Sequence, residues 1–347
     1  MSEWYFVLAP VAVLVVLSLV RFVGCGGEDF TSPPDFPRNY AQVVGLDFPV
    51  AYWRLQEQKA EEPSAPSVTN LPVVGGTAVD VGTAPSLGSF DGTYKAIKTE
   101  PPTMNPPFPL DTPWSPGGLL LERPGLLELP GQQSTSLYVD GGYVEVPYAT
   151  VLALGTFSVE ALVRPGWDPS ESGLYRSVIT FCSVDITPEA PKGFGFGLFA
   201  GPDPNPDPNN PGDVWQIWLG NGPTFTRQEP NEPFVKVNLD LTSYLCITYD
   251  KDTKVLNMYV YVSGIGMSSN SFPLYPSDNS TYSPVSDPTQ SLLIGMHRPP
   301  VVPGGPGPFP LYHPFKGHIQ EVAIYGAALA PEGAKGHAEA ALMPYGP

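Results

Sequence analysis

The sequence predicts an all-β protein, an antiparallel sandwich or barrel, carried behind a single N-terminal transmembrane helix. Three observations predict this. Pro 45 and Gly 36 punctuate the chain too often for long helices, and only 15% of residues are charged. Many short runs alternate in polarity with period two and are separated by turn residues, as strands closing over one core do. One stretch alone, residues 4–23, is apolar over a length that fits a bilayer.

That stretch, WYFVLAPVAVLVVLSLVRFV, comes first. Twenty helical residues at 1.5 Å rise span about 30 Å, the thickness of the hydrocarbon layer. Trp4, Tyr5 and Phe6 suit one interface, Leu14 and Leu17 the interior, and Arg21 can reach the far headgroups from the last turn. Two fates are open for residues 1–25. Phe22-Val23-Gly24-Cys25 resembles the lipobox of bacterial lipoproteins, which would make Cys25 a lipidation site. Met1-Ser2-Glu3 lacks the basic start of a secretory signal, and Arg21 interrupts the apolar run, which favours a retained anchor.

Residues 26–46 read as a Gly/Pro linker. A first strand follows at 48–57, then an irregular Pro-rich wrap over 60–130 containing MNPPFPLDTPWSPGG. Strand patterns resume at SLYVDGGYVEVP (136–147) and continue through TFSVEALVRP, SVITFCSV, GFGFGLFA, VWQIWLGN, SYLCITYD, VLNMYVYVSG and SLLIGMH to PFKGHIQEVAIYG. In one of them Phe157, Val159, Ala161 and Val163 share a face, opposite Ser158, Glu160, Leu162 and Arg164. Two Pro-rich insertions, 201–213 and 298–314, interrupt the series, and 341–347 reads as a tail.

The formal net charge of −17 excludes nucleic acid and anionic headgroups as partners of the bulk surface. Besides Cys25 there are two cysteines, Cys182 and Cys246, which could pair in an oxidising compartment or remain buried thiols.

The order of several blocks carries a resemblance. Val50-Ala51-Tyr52-Trp53-Arg54-Leu55-Gln56-Glu57, Tyr143-Val144-Glu145-Val146-Pro147, the run from Gly155 to Pro165, Ile247-Thr248-Tyr249-Asp250, Leu293-Ile294-Gly295 and the run from Phe315 to Tyr325 together resemble a laminin-G-like (concanavalin A-like lectin/glucanase) domain over residues 47–340. The resemblance implies a two-sheet antiparallel jelly roll of six or seven strands per sheet, with the first strand near the last. It also implies an extracytoplasmic domain, periplasmic or at the cell surface, that serves binding or assembly more often than catalysis. Ser263 and Gln320 stand where the family carries Asp, which weakens the case for the family's structural calcium.

The chemistry-bearing residues point the same way. The paired-carboxylate run of the family's glucanases is absent; Glu160 is expected to pair with Arg164 on its own strand face, an ion pair without catalytic use. His313 and His318 lack the further ligands of a zinc site. Asp203, Asp207 and Asp213 could surround a calcium ion, although alternating prolines would splay them. In VWQIWLGN, Gln216 and Trp218 share the face opposite Trp215, Ile217 and Leu219, so Trp218 is a candidate binding residue with Gln216 beside it. Two functions of different class follow as expectations. One is a non-catalytic, cofactor-free, membrane-anchored subunit whose extracytoplasmic domain docks on a photosynthetic or respiratory membrane assembly. The other is a surface lectin, adhesin or lipoprotein that binds polysaccharide.

Overall fold

The structure, a computed structural model, describes residues 39–57, 77–83, 89–96, 118–127, 134–186, 191–206, 212–228, 234–273, 282–297 and 313–342. The proposed anchor residues Trp4, Tyr5, Phe6, Leu14, Leu17 and Arg21, and Cys25, lie outside them. Among the described residues no helix is long and apolar enough to cross a membrane.

The described chain is mostly β. Its strands are β1 (Ala51–Trp53), β2 (Thr77–Ala78), β3 (Gly92–Ala96), β4 (Gly118–Pro124), β5 (Thr135–Asp140), β6 (Gly142–Val146), β7 (Phe157–Pro165), β8 (Arg176–Ile186), β9 (Pro191–Pro202), β10 (Asp213–Gly222), β11 (Phe225–Arg227), β12 (Ser243–Asp250), β13 (Val255–Val262), β14 (Gly266–Pro273), β15 (Leu292–Ile294) and β16 (Lys316–Tyr325). Two helices accompany them, α1 (Tyr40–Leu46) and α2 (Pro331–Leu342).

The strands form two antiparallel sheets. The first runs β14-β13-β12-β7-β16-β5-β4, with β1 also on β16; the second runs β11-β10-β9-β8-β15-β6-β3-β2. Each holds eight strands, more than the six or seven expected. The first strand does meet the last, with Tyr52 opposite Ala323 and Trp53 opposite Val322. One core lies between the sheets. Phe157, Val159, Ala161 and Val163 of β7 enter it as their alternation requires, and Phe157 stacks on Phe196 of β9 at 4.8 Å between centroids. Trp53, Trp215, Phe181 and Phe315 fill it, each fully buried large side chain contributing roughly 1.5–3 kcal/mol.

The Pro-rich wrap differs from its expectation. Its described parts are strands: β2 and β3 extend the second sheet through β6, and β4 edges the first sheet on β5. Buried Asp80 ties the segment to β1 by accepting from the backbone N–H groups of Tyr52, Gly82 and Phe90 at 2.9, 2.9 and 3.2 Å. Trp53 Nε1 donates to the Phe90 carbonyl at 2.8 Å. The described end of the 26–46 linker is helical, because Asn39 and Gln42 form a reciprocal capping box that starts α1.

β16 carries a bulge between Gln320 and Ala323, with Glu321 at φ 55°. The extra residue lets Gln320 and Glu321 both stay on the outer side while Ile319, Val322 and Ile324 keep their places in the core.

Cys182 and Cys246 are free and buried. They lie on the outward faces of different sheets, with the sandwich between them.

Candidate functional site

Two polar or aromatic clusters lie on the sandwich's outer faces. On the first sheet, Ser158, Glu160 and Leu162 point away from the core yet are fully buried; α1 and α2 reach Glu160 through Tyr40 and His337, and Ser158 bonds Ala327 and Leu329 just before α2. Ala334, Ala338 and Ala341 line the buried side of α2 and let it approach the sheet closely. Beneath the helices, Glu160 accepts from three phenols: Tyr40 at 2.9 Å, Tyr244 at 2.6 Å and Tyr325 at 2.7 Å. His337 Nδ1 meets the same carboxylate at 2.8 Å, and its Nε2 meets Asp47 at 3.0 Å. Burial alone would raise the Glu160 pKa, but His337 and then the phenols overcome it and hold the carboxylate below its ordinary range. Next to it, buried Glu321 is bonded by Tyr52 and Gln56 and by Arg54 Nη2 at 3.2 Å.

The expected Glu160–Arg164 pair is therefore wrong. Residues i and i+4 of a strand are about 13 Å apart, whereas neighbours on adjacent strands are about 5 Å apart. Glu160 is reached across the sheet and from above, and Arg164 instead lies opposite His318 in the register. Both carboxylates are covered and saturated with donors, so neither presents itself to a substrate.

The second sheet has a different outer face. On β9 the outward positions are Gly193, Gly195, Gly197, Phe199 and Gly201, one ring among four glycines, while Phe196, Leu198 and Ala200 enter the core. A Cβ at Gly197 would lie 2.3 Å from the Phe199 ring, and one at Gly201 would lie 2.5 Å from the Tyr175 ring. The missing side chains thus let the two rings lie on the sheet. Trp218 of β10 packs among them: Tyr175 and Phe199 meet it edge-on at 5.7 and 6.1 Å, and Phe225 stacks at 6.1 Å. His297 and His313 stack on one another at 5.9 Å and complete the cluster against Phe199 and Phe225. Burial holds both imidazoles neutral, lowering His297 to about 3 and His313 to about 4. Trp218, Tyr175 and His313 are half-buried; Phe199, Phe225 and His297 are buried.

The alternation read in β10 places Trp218 on this outer face. Gln216, however, is fully buried rather than a surface group: its Oε1 accepts from Trp218 Nε1 at 3.2 Å and its Nε2 donates to the Pro202 carbonyl at 2.7 Å, bracing the indole from below. The calcium candidates are engaged elsewhere. Asp203 pairs with Lys236 at 2.6 Å, Asp213 accepts from Trp167 Nε1 at 3.1 Å and from Ser172 and Gly173, and Asp207 lies outside the described residues. His313 belongs to the second sheet's face, and His318 of β16 bonds Ser136 at 2.9 Å. Among the described residues no three His, Cys, Asp or Glu are grouped to hold a metal.

Sequence reasoning missed Tyr175, Phe199 and Phe225 as partners of Trp218, His297 and His313 as neighbours of those rings, and His337. The alternating glycines of GFGFGLFAG were the available signal, since a strand face stripped of side chains leaves room for rings.

No family model matches this chain, and no curated protein matches it. Several solved structures resemble it distantly. Domain 4 of AbnA, an extracellular arabinanase from Geobacillus stearothermophilus in complex with arabinotriose, is 16% identical over 72% of this chain and 90% of its own, with a TM-score of 0.38. The CBM40 of the Ruminococcus gnavus IT-sialidase, bound to α2,3-sialyllactose, is 13% identical over 53% of this chain and 82% of its own, at 0.32. Trypanosoma rangeli sialidase in complex with sialic acid is 12% identical over 85% of this chain and 33% of its own, at 0.39. At such distances no residue role transfers from them.

Proposed function

We propose that the chain is a non-catalytic saccharide-binding protein of laminin-G-like jelly-roll architecture, and that its ligand stacks on Trp218 and Tyr175 at the outer face of the second sheet. The observation that carries this reading is the glycine-floored patch in which two half-buried aromatic rings sit over strands that keep their other side chains out of the way. Rigid rings offer large apolar contact at little entropic loss, as recognition of a ring-shaped ligand requires. Gln216 and Phe225 hold the indole in one orientation before any ligand arrives. A non-catalytic role is supported by Glu160 and Glu321, the buried carboxylates of the other face, which are screened by helices or neighbours and already bonded.

The test is retention of the full chain on a broad glycan array, followed by titration of a retained saccharide against tryptophan fluorescence. Trp218→Ala is expected to weaken binding more than tenfold, and Glu160→Gln to leave the affinity of the folded protein unchanged. Absence of any retained saccharide, or unaltered affinity in Trp218→Ala, overturns the proposal.

A second reading, an extracytoplasmic subunit docked on a membrane assembly, draws on Leu46 and Phe48. These are 53% and 70% exposed and lie close in sequence to the apolar N-terminal segment. Gentle solubilisation and sizing tests it, and migration as a free monomer excludes it.

A further inference from the structure

We propose that His337 is a pH-operated latch: while both ring nitrogens carry protons it ties α1 and α2 to the outer face of the first sheet, and loss of one proton releases α1. The argument is geometric. Nδ1 lies 2.8 Å from Glu160 Oε2 and Nε2 lies 3.0 Å from Asp47 Oδ2. An ionised carboxylate only accepts, so both contacts are hydrogen bonds only to an imidazolium. Glu160 is already surrounded by three phenol donors besides His337, which leaves it no reason to hold a proton of its own.

The latch bears on α1 because two of its elements end there. Tyr40 opens the helix and Asp47 is its C-cap. A helix of seven residues does not persist alone, so α1 depends on these contacts and on the burial of Tyr40 and Val44. When His337 is neutral, one of its nitrogens turns a lone pair toward a carboxylate. Glu160 is fully buried and cannot be resolvated, whereas the Asp47 side chain is 41% exposed and can turn to water. The Asp47 contact therefore breaks first, and α1 loses its C-terminal tether.

The groups against His337 are Tyr40 of α1 and Asp47 at its C-cap, Glu160 of β7 and Tyr325 of β16. Around Glu160 and its neighbour Glu321 lie Tyr244 and Cys246 of β12, Tyr259 of β13 and Tyr52 of β1, and Glu332, Lys335 and Glu339 lie on α2 itself. Burial, reinforced by the nearby carboxylates, pushes Tyr40, Tyr52, Tyr244, Tyr325 and Cys246 well above their ordinary values, so they stay protonated. Burial alone would lower His337, but Glu160 and Asp47 outweigh it and hold the imidazole above its ordinary 6.5. The sign follows: the latch is fully set below about pH 6.5 and is lost as pH rises through the elevated folded value. Its acid limit is Glu160, whose contribution is complete above 4.5 and lost as pH falls through its depressed value.

Hydrogen exchange of the full chain between pH 6 and 9, corrected for the intrinsic chemical rate, tests the latch. Protection of Tyr40–Leu46 is expected to fall as pH rises through the elevated folded value of His337, by at most about tenfold per pH unit, while β9 and β10 stay protected. His337→Gln should leave α1 poorly protected and insensitive to pH. If that variant does not fold, Asp47→Asn, at the exposed end, keeps the Glu160 contact and should shrink the pH range of the fall. Flat protection in the natural chain, an unchanged fall in a folded variant, or an equal fall in β9 and β10 overturns the proposal.

Discussion

The two outer faces of this sandwich are both buried beyond what strand alternation requires, but by opposite means. Over the first sheet, helices cover charged and phenolic groups, and the cover is fastened by hydrogen bonds to Glu160. Over the second, side chains from the sheet and its loops cover one another, and the fastening is contact between rings with glycine beneath. The first face has exchanged access for cohesion; the second keeps Trp218 and Tyr175 half-open. Protons separate them too. Carboxylates raise His337 above its ordinary value, whereas burial lowers His297 and His313 below theirs.

The contrast can be broken in several places, beginning with the largest effect. Glu160→Ala strands the His337 imidazolium and three phenols and should destabilise the protein by about 3–5 kcal/mol, lowering the thermal midpoint by on the order of 10 °C; an unchanged midpoint would mean that packing, not Glu160, holds the helices. Next comes Trp218→Ala, expected to lose saccharide affinity more than tenfold with a smaller shift in midpoint, a split that calorimetry and titration read separately. Acid distinguishes the faces further. The neutral histidines of the second face have folded values below 6.5, so as pH falls from about 6.5 toward 3 to 4 the unfolded chain takes up protons first and the stability of that face declines. The Glu160 cluster keeps its contribution over the upper part of that range, so exchange protection of β10 should fall before that of β12. Gly201→Ala pushes the half-buried Tyr175 ring aside for about 1 kcal/mol, and near-ultraviolet circular dichroism should report the altered ring while the midpoint barely moves. Lys236→Ala removes a surface partner of Asp203 and should change stability by less than about 1 kcal/mol.

What was legible in the sequence follows the range of the forces involved. Alternation is local, so β5 to β10, β12, β13, β15 and β16 could be read directly, and so could the outward direction of Trp218. β2, β3 and β4 were hidden because their short, Pro-flanked runs become strands only by pairing with partners that lie far along the chain. The error at Glu160 has the same source: its partners Tyr40 and His337 are 120 and 177 residues away, and no spacing rule reaches them. The aromatic patch was half-legible. The glycines of β9 announced room for rings, but which rings filled it depended on His297, just before the second Pro-rich insertion, and His313, near that insertion's end.

The bond between Tyr52 and Glu321 joins groups 269 residues apart in the chain. At a synthesis rate of about 5–20 residues per second, β1 leaves the ribosome roughly 15–50 s before the strand that must pair with it exists. Until then the N-terminal strand and the helix before it have no place to dock, and the nascent first sheet is open along β7. Completion of the first sheet therefore waits on β16, and a pause or truncation before β16 has been made would leave β1 and α1 without partners.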